Sequence, residues 1–276
     1  MVDINDDIFQ SRLAVLKELF ANNISAPMAA KQLAEATLSD DTTLESRLDL
    51  LWDLVLAIAC ETPEHQDKLV DVLVDLSELP SPNNPQAQGE EHEPLTIYDM
   101  EIWKDLPKLG WCFRDYWNLS VSANKSPDEQ QKAISKIINV SKFAALLTAT
   151  DEAVFASYSW FALITLRSAL ETPEERRLPD QPLEAWIPAA AAWIETLGVE
   201  IYHWDEEFPS GPLVGARGKG GPLWNGKHGF CEGRWKLWRE RFGEVARMEG
   251  DLAESVRKVA AETEQMMKEI EAGDVE

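Results

Sequence analysis

The sequence predicts an all-α protein, built as one irregular multi-helix domain of about ten helices. Apolar residues recur at every third or fourth position along most of the chain, as Leu48, Leu51 and Val55 do, and no alternating apolar runs bounded by hairpin turns interrupt them. Caps followed by proline mark helix starts, as at 126–129. A chain of 276 residues, 45% of them hydrophobic, can bury one substantial core, so we assign 1–276 to a single domain.

Helices are predicted on both sides of a polar segment at 80–95. The apolar stripes before it are Phe9, Leu13, Leu16 and Phe20, then Leu48, Leu51, Trp52, Val55 and Ile58, then Leu69, Val72, Leu73 and Leu76. The segment itself, LPSPNNPQAQGEEHEP at 79–94, has four prolines and almost no apolar side chain. It cannot offset the entropy of ordering, so we predict a mobile loop there.

Helices return from 97 to 198 and then stop. The most apolar run, VFASYSWFALITLRSALE at 154–171, predicts a central helix, and Gly198 suits a helix end. Residues 205–229 contain seven glycines and three prolines and have no periodicity. We therefore predict an irregular loop at about 205–230 that covers the helical body.

A final amphipathic helix is predicted at about 231–271. Its apolar stripe is Val245, Met248, Leu252, Val256, Val259 and Met266. Such a stripe most often docks on the core of its own chain, and a homodimer contact is the alternative use.

Charge and cysteine content exclude several classes of protein. The net charge of −23 disfavours nucleic-acid binding, although 211–247 is a basic island with 8 bases against 3 acids. The acidic start and the lack of an 18-residue apolar run indicate neither a signal peptide nor a membrane span, so we expect a cytoplasmic protein, with the nucleus as the other location. The three cysteines are widely spaced and are expected to be reduced.

Metal and phosphate motifs are weak. Asp40, Asp41 and Glu45 form the one carboxylate cluster that resembles the magnesium site of class I isoprenoid cyclases, but they precede a helix, where capping explains them. The loop GARGKGG lacks the Ser or Thr that a nucleotide-binding loop has after its lysine. His203 is the one histidine placed as a candidate acid or base, beside the glycine-rich loop. We expect no metal and no cofactor.

A pattern of arginine and tryptophan is more specific. Trp235, Trp238 and Phe242 share one helix face, and Arg234 and Arg241 share a neighbouring face. Arg167 lies within the most apolar run, where a guanidinium needs a carboxylate such as Glu171 or Asp115. A network of buried ion pairs and a site for an anionic ligand both remain open.

Four segments carry a family resemblance. They are WKDLPKLGWCFRDYWN, LRSALE, AAAAWIETLG and GGPLWNGKHGFCEGRWKLWRERF, in that order. Together they resemble the all-helical proteins of the domain-of-unknown-function 3632 family, over roughly 63–247. The resemblance implies a fungal, intracellular protein, some of whose relatives lie beside genes of specialised metabolism. It supplies no catalytic residues.

Three functions follow from these observations. The first is small-molecule binding in an aromatic-lined pocket of at least about 300 Å³, with cofactor-free cyclisation, isomerisation or hydrolysis of an apolar or anionic molecule if it is an enzyme. The candidate catalytic residues are His203, Asp115 and Arg167, and the candidate ligand-binding residues are Trp103, Trp117, Trp193, Trp224, Arg234, Trp235 and Arg241. The second function is a noncatalytic protein-interaction or regulatory module, favoured if the indoles pack solidly, in which the basic island holds an acidic partner or the acidic N-terminal layer of the same chain. The third is a magnesium-dependent isoprenoid cyclase.

Overall fold

Helices make up 67% of the computed structural model, so the predicted all-α class is confirmed. The structure describes residues 7–39, 42–85, 93–211, 215–216, 218–250 and 252–274. Those residues group into two compact units. The first takes the chain up to Asn118 together with Glu152–Phe155, and the second takes Leu119–Asp151 and the chain from Ala156 onward. The assignment of 1–276 to one domain stays a prediction, and each unit is described by itself.

The first unit is built from five helices and one small hairpin among its described residues. They are α1 (Asp7–Phe20), α2 (Ala26–Leu38), α3 (Leu44–Glu61), α4 (Gln66–Ser77), β1 (Thr96–Ile97), β2 (Met100–Glu101) and α5 (Leu109–Trp117). Thr43 caps α3, accepting a hydrogen bond from the backbone N–H of Ser46 at 3.3 Å. The buried Trp52 of α3 donates its indole N–H to the carbonyl of Pro107 at 2.8 Å, which ties the segment before α5 to the helices.

The second unit is built from five further helices and one short strand pair among its described residues. They are α6 (Pro127–Ala149), α7 (Ser159–Leu170), α8 (Leu183–His203), β3 (Ser210–Gly211), β4 (Gly215–Ala216), α9 (Glu232–Ala246) and α10 (Glu254–Ala272). Ser126 and Glu129 form the predicted capping box of α6. Helix α8 contacts α6, α7, α9 and α10, so it lies at the centre of the unit.

Two predicted boundaries differ from the structure. The helix predicted at 231–271 is two helices, because α9 ends at Ala246 and the linker to α10 contains Gly250 at φ +112°, a conformation outside the helical region. Helix α8 does not end at Gly198; it kinks at Leu197 and continues to His203. Gly198 serves a close contact instead, since a Cβ there would lie 2.7 Å from Ile270 of α10.

The two predicted loops are only partly described. Residues 86–92 of the loop at 80–95 lie outside the described residues, and the rest is joined by an antiparallel bridge between Asn83 and Pro94. In the loop at 205–230, residues 212–214 and 217 lie outside them. The described remainder is irregular except for β3, β4 and an antiparallel bridge between Glu207 and Gly229.

The segment Ala153–Leu170 has the length and hydropathy of a membrane-spanning helix, but 56% of it is buried inside the structure. Burial of that kind suits core helices, and Ser159–Leu170 of this segment is α7 of the second unit. The composition of this segment alone is therefore weak evidence for a membrane span.

Candidate functional site

Within the second unit, a buried ion pair links the end of α7 to α9 and bonds to the glycine-rich loop. Arg234, on the first turn of α9, and Glu171, directly after α7, are both fully buried. The Nε of Arg234 donates to one Glu171 oxygen at 2.6 Å, and a terminal nitrogen donates to the other at 3.1 Å. This two-bonded geometry is the strongest that a guanidinium and a carboxylate form.

The remaining bonds of this pair come from the chain itself. Glu171 also accepts from the indole N–H of Trp238 at 2.7 Å and from the backbone N–H of Gly221 at 2.7 Å. Arg234 also donates to the backbone carbonyls of Gly218 at 2.9 Å and Gly229 at 2.8 Å. Each carboxylate oxygen thus accepts two hydrogen bonds, which occupies its acceptor positions.

Two of the glycines are needed for this geometry. Gly218 has φ +70°, which a residue with a side chain rarely adopts, and a Cβ there would lie 2.6 Å from the carbonyl oxygen of His228. A Cβ on Gly229 would lie 1.9 Å from the carbonyl oxygen of Glu206. The glycines let the backbone bring its carbonyls to the guanidinium of Arg234.

Aromatic rings pack around the ion pair. Phe230 contacts Trp204 with ring centroids 4.9 Å apart and Trp238 with centroids 6.1 Å apart, both edge to face. The guanidinium carbon of Arg234 lies 5.5 Å from the ring centroid of Trp238 and 5.8 Å from that of Trp224. The cluster is therefore filled by its own side chains.

Most cations of the basic island have partners in the chain. The pairs in the described part of this segment are Lys227 with Asp205 at 2.6 Å, Arg234 with Glu171 at 2.6 Å, Arg239 with Glu271 at 3.0 Å, Arg241 with Glu244, and Arg247 with Glu264 at 3.8 Å. The positive charge seen in the sequence is thus largely neutralised within the second unit.

A groove runs over another face of the second unit. One cleft, of about 240 Å³, is lined by Gln131, Ile134, Ile138, Glu184, Pro188, Ala253, Ser255, Val256 and Val259. A second, of about 420 Å³, is lined by Glu174, Arg177, Leu178, Pro179, Pro182, Leu183, Glu184, Met248, Glu249 and Leu252. The two clefts meet at Glu184, which lines both, and their linings continue along the chain from Leu252 to Ala253. The smaller cleft is mainly apolar, and the larger has both apolar and charged walls. We call the two clefts together the Glu184 groove.

Glu184 differs from the other charged groups of this groove. It is half-buried and makes neither a hydrogen bond nor an ion pair among the described residues, although its negative charge acts on Arg177 of the same cleft. Pro188, four residues later in α8, has no backbone N–H. The backbone carbonyl of Glu184 therefore lacks the helical hydrogen bond that another residue at position 188 would donate. Arg177 is committed elsewhere: it donates to the carbonyls of Ser168 at 3.1 Å and Ala169 at 2.8 Å. The junction of the two clefts is therefore rich in acceptors.

The sequence was compared with known protein families and structures. The model of a family described as "Protein of unknown function (DUF3632)" matches residues 52–242. The chain belongs to this family. No curated protein and no solved structure is significantly similar to the chain.

In this DUF3632 chain the predicted site residues are divided between the units. Trp103, Asp115 and Trp117 belong to the first unit, and the others belong to the second. Arg234 and Trp224 come together, whereas His203 is exposed at the end of α8 and touches the ring of Tyr202.

The other predicted residues of the second unit lie around this cluster. Arg167 does not pair with Glu171; it donates to the carbonyl of Lys219 at 3.2 Å, and burial lowers its pKa. Arg241 donates to the carbonyl of Leu170 at 3.1 Å. Trp235 is buried and donates to Glu271 at 2.9 Å, and the buried indole N–H of Trp193 has no acceptor among the described residues.

Two features were missed by sequence reasoning. The sequence suggests Glu171 as a partner of Arg167, but its position at the end of the apolar run fits Arg234 equally well. Glu184 was not considered, although a proline four residues after a carboxylate, inside an apolar helix, is visible in the sequence. Of the carboxylates in the magnesium hypothesis, Asp40 and Asp41 lie outside the described residues. Glu45 accepts hydrogen bonds from Tyr98 and Lys108.

Proposed function

We propose that this protein is a noncatalytic interaction module whose second unit binds an apolar, basic peptide segment of another protein in the Glu184 groove. The observation that carries the proposal is the meeting of a mainly apolar cleft and a mixed apolar and charged cleft at a half-buried carboxylate, which makes no hydrogen bond or ion pair among the described residues. A helical segment in a groove is a common mode of peptide recognition, read by apolar side chains one or two turns apart.

The charge of the groove supports a basic partner. A half-buried carboxylate loses hydration and needs a cation or a hydrogen-bond donor to compensate. Glu249 adds an exposed carboxylate, while the arginine of the lining, Arg177, already binds backbone carbonyls and Glu174. A lysine or arginine that lies between two apolar anchors of the ligand would meet Glu184.

The competing proposal is a ligand pocket among the tryptophans of the glycine-rich loop. Such a pocket needs polar groups that are free to hold a ligand. Glu171 and Arg234 instead bind each other, Trp238 and the loop backbone. Neither cleft of the Glu184 groove is bordered by a tryptophan. These observations favour interaction over small-molecule binding.

The test uses two fluorescein-labelled model peptides of equal length and charge. One is a helical Leu/Lys peptide with leucines on one face, and the other replaces the leucines by serine. Fluorescence anisotropy is expected to show saturable binding of the Leu/Lys peptide only, since simple attraction to an acidic protein would bind both. Binding of both peptides with equal affinity would contradict the proposal.

Two variants locate the binding in the groove. Glu184→Gln is expected to lower the affinity for the Leu/Lys peptide about tenfold, equivalent to about 1.4 kcal/mol, because a lysine of the peptide then loses its anionic partner. Val259→Arg is expected to abolish binding by adding a like charge to the smaller cleft. The matched control is Glu195→Gln, an exposed glutamate later on α8, which should leave the affinity unchanged. Equal losses for Glu184→Gln and Glu195→Gln would refute the site.

A further inference from the structure

Two large aromatic side chains lie together on the surface of the first unit. Tyr98 is 49% exposed and Trp111 is 51% exposed. Their ring centroids lie 5.0 Å apart, with the ring planes tilted by 58°. Tyrosine and tryptophan are the side chains most enriched at binding hot spots, and an exposed pair of them gains little from folding. We call the two rings the Tyr98/Trp111 platform.

The backbone holds Tyr98 in this position at a cost. Tyr98 and Asp99 are the two residues between β1 and β2, with φ +55° and +61°. A two-residue hairpin turn of this type needs positive φ at both positions, and asparagine and glycine are the usual residues there. A tyrosine is disfavoured in that conformation, so its presence at the tip of the turn is not explained by the needs of the hairpin.

A network of ion pairs and hydrogen bonds holds the platform in place. The hydroxyl of Tyr98 donates to Glu45, and Lys108 donates to the same carboxylate at 3.2 Å and to Asp49. Lys108 also has φ +70° at the start of α5, which carries Trp111. The hydroxyl of Tyr98 and the charge of Lys108 are therefore used within the unit. What the platform offers to a partner is the ring faces and the exposed charged groups beside them, the carboxylates of Asp99 and Asp115 and the guanidinium of Arg114.

Those carboxylates indicate the charge of the partner. Asp115 is exposed and lies four residues after Trp111 on α5, so the two side chains share one helix face. Asp99 is exposed at the tip of the turn, next to Tyr98. An arginine satisfies both kinds of group, because its planar guanidinium stacks on an indole and binds a carboxylate.

From this juxtaposition we infer that the Tyr98/Trp111 platform binds an arginine side chain of a partner protein, which stacks on Trp111 and pairs with Asp115. This surface lies on the first unit and is independent of the Glu184 groove. It also assigns a role to Asp115, which has no hydrogen-bond or ion-pair partner among the described residues.

The test follows Trp111 directly by ¹⁹F NMR of the full chain labelled with 5-fluorotryptophan. Trp111→Phe identifies the Trp111 signal by its loss. The probe is a Gly/Arg peptide with three arginines, and its counterpart has citrulline, which has the same shape without the charge. The Trp111 signal is expected to shift saturably with the arginine peptide and not with the citrulline peptide. Equal shifts with both peptides, or no shift of this signal, would overturn the inference.

Substitutions separate the platform from the fold. Tyr98→Gly suits the positive φ of its position, so melting should be unchanged or improved, while affinity for the arginine peptide falls at least fivefold. Asp115→Asn is expected to weaken binding at least threefold. Asp71→Asn, an exposed position on α4 of the same unit, is the control for loss of one negative charge. Equal effects of Asp115→Asn and Asp71→Asn would also overturn the inference.

Discussion

The buried pair of Glu171 and Arg234 makes a strong prediction about stability. Glu171→Gln keeps the shape of the side chain but removes its charge, which leaves Arg234 as an uncompensated cation at 0% exposure. The new amide nitrogen must also face a donor, because all four groups around the carboxylate are N–H groups. Breaking a buried pair in this way costs about 3 to 5 kcal/mol.

The expected change in melting temperature follows from the size of the second unit. The melting temperature of a unit of this size falls by about 2 to 4 °C for each kcal/mol of destabilisation. In differential scanning calorimetry, the melting temperature of the transition that contains the second unit should therefore fall by about 6 to 20 °C. The control is Glu174→Gln, three residues later, where the carboxylate is 56% exposed and pairs with Arg177 at 3.1 Å. That change should cost less than about 1 kcal/mol.

A double variant tests the cause of the loss. Arg234→Met removes the charge that Glu171→Gln leaves unpaired, so the two changes together should cost about 2 kcal/mol less than the sum of the single changes. The carbonyls of Gly218 and Gly229 stay without their donor, and recovery is therefore incomplete. If Glu171→Gln melts within about 2 °C of the parent, the pair does not hold the glycine-rich loop and the reasoning fails.

Two further predictions concern single groups. Trp238→Phe removes an indole N–H that donates a hydrogen bond to Glu171, whereas Trp193→Phe removes a buried indole N–H that has no acceptor among the described residues. Urea titration should show that Trp238→Phe lowers the free energy of unfolding by about 1 to 3 kcal/mol more than Trp193→Phe does. Equal losses would contradict the role of the hydrogen bond. Burial, followed by the negative charge of Asp49, raises the pKa of Cys112 from 9.0 to about 12. At pH 8 the fraction of Cys112 present as the reactive thiolate is then about a thousandfold smaller than for a thiol with a pKa of 9.0. Peptide mapping after iodoacetamide treatment should find Cys112 unmodified in the folded protein and modified after unfolding; rapid labelling in the folded state would refute this.

The helical architecture could be predicted because its signals are local. The capping box at Ser126 and Glu129 and the apolar stripe of α3 depend on residues three or four positions apart, and both appear in the structure. The single helix predicted from 231 to 271 was wrong for a local reason as well. The apolar stripe runs on across the break, whereas Gly250, in the linker between the two helices, has φ +112° and is not helical.

The pairing of buried charges could not be predicted in the same way. The interval from Glu171 to Arg234 is 63 residues, and the choice between Arg234 and Arg167 depends on how α7, α9 and the loop pack. The sequence indicated that an arginine here needs an anion, but not which arginine receives it. The Glu184 groove was harder still, because its walls come from α6, α8, α10 and the irregular segments between helices, and each wall alone resembles an ordinary amphipathic surface.

The distribution of charge connects the interior of the second unit with the proposed partners. The basic island suggested an acidic partner, yet its arginines largely meet carboxylates of the same chain. With a net charge of −23, a chain that pairs its cations internally leaves mostly carboxylates for its surface. Glu184 and Asp115, in different units, are both carboxylates of this kind. Basic partners would then approach under long-range attraction, which raises association rates at low salt and weakens beyond a Debye length of about 8 Å at physiological ionic strength. Specific docking differs from that general attraction because it also needs apolar contacts in the Glu184 groove or stacking on the ring of Trp111. Salt does not screen the contribution of these contacts to the binding free energy.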